Sequence, residues 1–306
     1  MSDTSLSPQD AEARLLSLTA ELNDHAHRYY VLDAPIISDA AYDRLYRELE
    51  ALEQDWPQFR QADSPTQRVG GIPLEGFEKV THRVPMLSLA NAMNEEELRE
   101  FAEKRKRTLS LEAGHRLDYS VEPKIDGIAI SLLYEEGRFV RGATRGDGVV
   151  GEDITGNLRT VEAIPLKLRD SIRPIPPVLE VRGEAYMPND RFRLFNQRLI
   201  EAGEEPKANP RNATAGSLKQ LDPNVTAQRP LSAYVYAVGY TEGVEFAHHS
   251  DFLQALRDWG FRVNELSKVC NGIDEVTEAY ADLMERRPNL NYDIDGMVVK
   301  VNDMAL

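Results

Sequence analysis

Cysteine is almost missing from this chain: Cys270 stands alone among 306 residues. One thiol excludes an internal disulfide and any cysteine-rich zinc site. Histidine is scarce too, at six residues. His25 and His27 lie two apart in a helical pattern and face different ways, and His248 and His249 are adjacent; both pairs read as solvated or packed rather than ligating. No metal ligand set is therefore read from the sequence. No apolar run approaches the ~18 residues that a membrane span requires. The opening MSDTSLSPQD has neither the basic flank nor the apolar stretch of a secretion signal. The expectation is a cytoplasmic protein with no membrane partner. A P-loop, an H-E-x-x-H helix and a G-x-S-x-G turn are also missing. Positive charge is in short supply, with 36 Lys and Arg against 51 Asp and Glu, a net charge of −15. Such a chain repels a phosphate backbone at long range, so a large duplex-binding surface is not expected within it. The basic run Lys104 to Arg107 falls late in a helical segment, where a helix C-terminus favours it as a solvated face.

What is present is an ordinary globular composition, 42% hydrophobic and 28% charged, in a chain long enough for about two domains. Residues 8 to about 60 read as two helices: Leu15, Leu18, Leu22, Ala26 and Tyr29 keep a three-and-four spacing, as do Tyr42, Leu45, Leu49, Leu52 and Trp56. DAPIIS separates them, with Ser38 placed to cap the second. ADSPTQRVGG, 62–71, has the Pro and Gly signature of a linker and sets the domain boundary. Beyond it, a helix is expected over 94–108, with Asn94 and Glu97 at capping-box spacing. Strands are expected near 117–125, 128–134, 138–144, 178–187, 232–240 and 294–301, with further helices near 189–201, 212–221, 250–259 and 274–286. Strands and helices mix without a regular βαβ alternation, which favours α+β. The final VVKVNDMAL passes a buried strand with no cap or closing element, and reads as a cut.

Four constellations carry possible chemistry. In SVEPKIDGIAIS, Glu122, Lys124 and Asp126 share one strand face at the mouth of an apolar run. One reading is a solvated ladder of weak ion pairs; the other is a lysine nucleophile whose partial burial disfavours the ammonium. Gly127 would then let a ligand approach the backbone. In LEVRGEAYM, Glu180, Arg182 and Glu184 share a face, which suits a structural salt-bridge row or a carboxylate that binds ribose hydroxyls. In YDIDGMVVKVN, Asp293 and Asp295 share a face while Lys300 has the opposite parity. A bulge or kink at Gly296 would re-aim Lys300 into the same pocket, where a lysine could hold a phosphate. In the helical part, Asp39 and Asp43 lie four apart beside Tyr42. They either complement a helix dipole or, with Tyr29, receive a cationic ring such as oxidised nicotinamide. A competing signal is GDGVVG, 146–151, which matches G-x-G-x-x-G after a strand and has Asp170 downstream, so a dehydrogenase is a rival reading. Against it, Asp147, Glu152 and Asp153 put negative charge where a pyrophosphate should sit.

Taken in order, YYVLDAPIISDAAYDRL, DSPTQRVGG, VPMLSL, EPKIDG, ATRGDGVVGEDIT, VRGE, ANPRNATAGSLKQLD and DIDGMVVKVN make the chain resemble the bacterial NAD-dependent DNA ligases over nearly its whole length. The resemblance implies an α+β chain with an N-terminal helical subdomain, 1–69, that binds nicotinamide mononucleotide. Residues 70–306 would be a nucleotidyltransferase (ATP-grasp-like, adenylation) domain of antiparallel sheets flanked by helices. It implies that Lys124 attacks the α-phosphate of NAD to form lysyl-AMP and release nicotinamide mononucleotide, with Mg²⁺ as cofactor and its ligands unassigned. Nicked duplex DNA is the implied final substrate of the full-length enzyme, held weakly by this piece, which is expected to be a monomer. Carried over by position, Asp126 and Asp295 orient Lys124, accept its proton or hold metal. Glu122 meets adenine, Glu184 and Arg145 the ribose, Ser88 and Leu89 line the adenosine site, and Lys300 meets phosphate or base. Arg211 and Arg287 meet phosphates or the nick, and Tyr29, Asp39, Tyr42 and Asp43 form the nicotinamide mononucleotide subsite. Two departures stand out: Lys219 occupies a position where the family has arginine, and Ala41 one where it has glutamate. A further catalytic lysine, an oligonucleotide-binding barrel, a zinc module, a helix-hairpin-helix domain and a BRCT domain of the family are not in this sequence. An ATP-dependent ligase or capping-type nucleotidyltransferase shares the Lys124 motif and is the alternative, ahead of a dehydrogenase or a non-catalytic acidic binding module.

Overall fold

The computed structural model describes residues 6–68, 74–110, 116–170 and 172–306. Helices α1 (Pro8–Tyr30) and α2 (Asp39–Asp55) open the fold, each started by a serine whose hydroxyl accepts a backbone N–H: Ser7 from Asp10 and Ser38 from Ala41. Their apolar stripes meet as the spacing requires, Leu15, Leu18 and Leu22 against Leu49, with Tyr42, Leu45, Leu52 and Trp56 around them. The stripe ends early on α1, because Tyr29 is left half exposed.

The segment read as a linker is built in. Asp63, Ser64, Pro65 and Arg68 are buried. The Asp63 carboxylate pairs with Arg138, its carbonyl accepts from Asn23 at 3.0 Å, and Thr66 donates to the Glu53 carboxylate. Arg68 donates to the carbonyls of Arg159, Val161 and Ile164 at 3.1–3.3 Å. Composition signalled a break in the chain but not these partners, which for Arg68 lie 91 to 96 residues away. Residues 69–73 of the expected linker lie outside the described residues.

After β1 (Lys79–Thr81) comes α3 (Glu95–Thr108), where Asn94 accepts from the Glu97 N–H and the Glu97 carboxylate returns to the Met93 N–H. The chain then runs through β2 (Asp118–Ile125), β3 (Ile128–Glu135), β4 (Arg138–Thr144), β5 (Val150–Glu152), α4 (Thr155–Arg159) and β6 (Val178–Tyr186). It continues through α5 (Asn189–Glu201), α6 (Pro210–Leu218), α7 (Pro223–Ala227), β7 (Ser232–Glu242), α8 (His249–Asp258), β8 (Lys268–Asn271), α9 (Ile273–Arg286) and β9 (Ile294–Val301). Strand order is β4-β3-β6-β7 in one sheet, β8-β2-β9 in a second and β1-β5 in a small third, with every pairing antiparallel. The larger sheet buries Ile130, Leu132, Leu179 and Val181 with Phe252, Leu256 and Trp259 of α8 and its end. The second buries Tyr119 and Val121 against Ala102 of α3 and Val276 and Ala279 of α9. Antiparallel sheets with flanking helices make the fold α+β, as the irregular alternation of elements indicated. The elements not anticipated, β1, β5, α4, α7 and β8, are three to five residues long, too short to carry a period. Helix α6 starts two residues ahead of expectation because Asn209 caps it, with Pro210 in the first turn.

GDGVVG is a tight turn. Asp147 accepts from the Val149 and Val150 N–H groups at 2.8 and 2.7 Å, and the chain continues into β5 rather than a helix. With no helix N-terminus behind the glycines, the dinucleotide fingerprint has no physical basis here.

Candidate active site

A cleft of about 1010 Å³ opens between the two larger sheets, lined by the end of β2, the start of β3, the loop 144–152, parts of β6, β7 and β9, and residues 84–89. Lys124 lies near the end of β2, and its Nζ is 2.6 Å from the Asp295 carboxylate. Both side chains are nearly half exposed, so the burial of Lys124 is only partial, and a carboxylate stands beside it. Asp126, just past the strand, accepts from Arg211 at 3.0 Å. The parity conflict at Lys300 is resolved as anticipated. Pairing of β2 with β9 slips between Pro123 and Ile125, and Gly296 adopts φ 149°. One extra residue on β9 turns Lys300 to the face that Asp295 occupies.

Glu122 is buried at 5% exposure and its Oε1 takes two donors, Lys300 Nζ at 2.7 Å and His249 Nε2 at 2.9 Å. Burial would raise this carboxyl, but the Lys300 ammonium and the His249 hydrogen bond outweigh it and hold it below the ordinary range. Lys300 also donates to the Tyr236 carbonyl at 2.9 Å and lies over the Tyr236 ring. The Tyr236 hydroxyl donates in turn to Glu184 at 3.2 Å. Burial pushes the Glu184 carboxyl up to about 7, against the pull of that hydrogen bond and of Lys124 and Arg211. Gly127 lines the cleft, and it has a structural use as well: a Cβ there would stand 2.2 Å from the Ala185 carbonyl oxygen and 2.9 Å from Glu184 Cγ, so the glycine admits β6.

Arg145 donates to the Met86 carbonyl at 3.2 Å and to Ser88 Oγ at 2.7 Å, tying residues 86–88 over the cleft, with Leu89 exposed at its edge. In the VRGE strand, Glu180 and Arg182 form the structural pair anticipated, at 3.0 Å, with Ser131 and the Val84 carbonyl as further partners. Lys219 and Lys79 reach the rim through the Glu152 carboxylate at 2.7 and 3.3 Å.

Other expected residues are elsewhere. Arg287 opens a 3-10 turn after α9, is exposed, and does not line the cleft. Tyr29, Asp39, Tyr42 and Asp43 do not line it either. Tyr42 packs in the α1–α2 core and stacks with Tyr46, Tyr29 meets Tyr30 edge-on, and both aspartates are exposed. The helical part is docked instead through Asp24 to Arg169 at 2.8 Å, Asp33 to Arg262 at 3.0 Å, and Arg68. His249 is packed, one of the two states its sequence suggests, but nothing near it in the sequence signals its contact with Glu122, 127 residues away. Only the N-terminus of α8 arriving behind β2 gives it a partner.

Among the described residues no three His, Cys, Asp or Glu side chains form a metal cage. The cleft therefore offers one half-exposed amine beside a carboxylate, two carboxylates at its inner end to accept N–H or O–H donors, and a cationic rim suited to a polyanion.

Residues 74–306 match the family described as NAD-dependent DNA ligase adenylation domain, and residues 8–70 match the DNA ligase-like, N-terminal NAD+-binding domain. Among curated proteins, the DNA ligase of Geotalea uraniireducens (strain Rf4) is 53% identical over 298 residues, covering 97% of this chain and 44% of that protein. The DNA ligase of Desulforudis audaxviator (strain MP104C) is 53% identical over 297 residues, with 97% and 44% covered. That of Salinibacter ruber (strain DSM 13855 / M31) is 50% identical over 297 residues, with 97% and 42% covered. The chain spans less than half the length of these relatives. No helix among the described residues is long and apolar enough to cross a membrane.

Proposed function

Because the chain belongs to the family of NAD-dependent DNA ligase adenylation domains, we propose that Lys124 is its nucleophile and NAD its AMP donor. Lys124 hands a proton to Asp295, and its lone pair forms a bond to the α-phosphorus of NAD. The bond from that phosphorus to the bridging oxygen breaks, nicotinamide mononucleotide leaves with the electron pair, and AMP stays on the lysine as a phosphoramidate. The single observation that carries this reading is the 2.6 Å contact of Lys124 with Asp295 at the cleft, facing the Glu122–Lys300–Tyr236–Glu184 chain. Glu122 accepts from the adenine amine, Glu184 from ribose hydroxyls, and Arg145 holds Ser88 over the adenosine. Arg211 and Lys219 meet the phosphates.

Transfer of this kind needs in-line placement and charge neutralisation more than acid–base strength. Asp126 or Asp295 would hold Mg²⁺ carried by the nucleotide phosphates, and the ion would supply that neutralisation. We assign residues 1–69 to the nicotinamide mononucleotide end, through Tyr29, Asp39, Tyr42 and Asp43, and 70–306 to nucleotidyl transfer. The first assignment requires the helical part to leave its docked position. Arg287 is assigned to a later encounter with nicked DNA. In the whole protein the AMP activates a 5′-phosphate at a nick, in a monomeric cytoplasmic enzyme.

The test is intact-protein mass spectrometry after incubation with NAD and Mg²⁺, beside ATP and a Lys124→Ala variant. One added AMP with NAD alone, absent from the variant, is the expected result. Labelling by ATP alone would transfer the chain to the ATP-dependent class, and labelling of the variant would remove Lys124 as nucleophile.

A further inference from the structure

His249 is buried, does not line the cleft, and has no part in the transfer just described. Its Nε2 is nonetheless 2.9 Å from Glu122 Oε1 and 3.2 Å from Lys300 Nζ. A carboxylate oxygen is an acceptor only, so a nitrogen that close must bring a proton. Nε2 therefore carries hydrogen and donates to Glu122, and its approach to the Lys300 ammonium is a contact between two donors. Oε1 then has two donors from different directions, while Oε2 takes none among the described residues and is not sealed from solvent.

A carboxylate held by one flexible lysine can turn about its last bond; a second donor on the same oxygen removes that freedom. His249 is itself fixed. Its N–H donates to the Asn302 carbonyl at 2.7 Å, and the Ser250 N–H donates to Asn302 Oδ1 at 3.0 Å. Asn302 follows Lys300 by two residues, so both donors to Glu122 are set by one local structure.

We infer that His249 is a positioning residue that, together with Lys300, occupies Oε1 of Glu122 and leaves Oε2 aimed into the cleft as the acceptor that selects an exocyclic amine on the bound base. This rests on the proposed role of Glu122 toward adenine. A purine with an oxo group at that position presents an acceptor to an acceptor and is rejected.

Calorimetric binding of NAD is compared with that of nicotinamide hypoxanthine dinucleotide, for the parent chain and for His249→Ala and His249→Gln. The parent should prefer NAD by about a hundredfold or more, since a site built to hydrogen-bond a group discriminates strongly against its absence. In His249→Ala the preference should fall to about tenfold or less, reflecting one lost charge-assisted bond. Glutamine, whose amide can donate from nearly the same place, should restore it to within about threefold of the parent. A parent chain without preference would sink the role of Glu122 itself. A parent preference kept whole in His249→Ala would overturn the role of His249 alone. Nitrogen-15 spectra of the parent's histidines give a check that needs no variant: a protonated Nε2 on His249 is expected, and a bare one refutes the geometry.

Discussion

Gly127→Ala is the sharpest test of how the cleft is built. The added Cβ would lie 2.2 Å from a backbone carbonyl oxygen, that of Ala185, where ordinary contact starts near 3.4 Å. The neighbour must therefore retreat by about 1 Å. Glu184 Cγ, at 2.9 Å, can swing aside, but the carbonyl cannot, because Ala185 is paired with Ile128 across β3 and β6. Overpacking of this kind costs about 1–3 kcal/mol, and its backbone origin places it at the upper end. That corresponds to a fall in Tm of several degrees. Displacing Ala185 also displaces Glu184 one residue earlier on β6, so NAD affinity should weaken along with stability. Gly216→Ala is the internal control: it sits inside α6 with nothing within 4 Å of its added Cβ. Relief of glycine's backbone entropy there should stabilise the chain by about 0.5–1 kcal/mol. Urea unfolding of both variants, with NAD calorimetry, decides the matter. A Gly127→Ala chain that unfolds at the parent's midpoint and binds NAD as the parent does would refute the claim that this glycine exists to admit β6.

Two further outcomes follow from buried charge. Arg68→Met removes the donor shared by three carbonyls, and its ion pair with Glu162 at 3.1 Å, so urea unfolding should show a loss of about 2–4 kcal/mol. Amide exchange near residues 161–164 should quicken with it; an unchanged midpoint would mean that water replaces the guanidinium without cost. Glu184, with its carboxyl raised from 4.5 to about 7, binds a proton more readily folded than unfolded. Its contribution is therefore fully present below about pH 4.5 and lost as pH rises through 7, by at most about 3 kcal/mol. Glu184→Gln should flatten that loss between pH 5 and 8, and a variant as pH-sensitive as the parent would show that the slope belongs to another group.

Local rules were legible wherever partners lie close in sequence. Ser38, Asn94 with Glu97, and the apolar rows of α1 and α2 act over three or four residues, and each is found as spacing requires. Even the turned Lys300 could be anticipated, because parity set against Gly296 exposes a conflict that only a bulge relieves. What stayed hidden depends on distant chain. Gly127 makes sense only once Ala185 arrives, Arg68 once residues 159–164 do, and His249 once Glu122 lies 127 residues behind it. The displacement of Tyr29, Asp39, Tyr42 and Asp43 from the cleft has the same origin. Their mutual spacing is a property of two helices, but their distance from Lys124 is set by Asp24, Asp33 and Arg68 docking elsewhere.

Those pairings also show how a chain of net charge −15 can hold a nucleotide. Four cations of the cleft are each answered by a carboxylate: Lys124 by Asp295, Arg211 by Asp126, Lys219 by Glu152, and Lys300 by Glu122. The first three cations have side chains 44–56% exposed, and pairs of that kind are worth about 0–1 kcal/mol. The fourth is different. With Glu122 at 5% and Lys300 at 21%, removing either partner strands a largely desolvated charge, at about 3–5 kcal/mol. A phosphate entering at the rim can open the first three pairs at little cost, and it cannot open the fourth. The end that accepts donors thus stays fixed while the reactive end yields. Lys124 belongs to the yielding set, so the polyanion whose charge must be neutralised for transfer is also what competes with Asp295 for the proposed nucleophile.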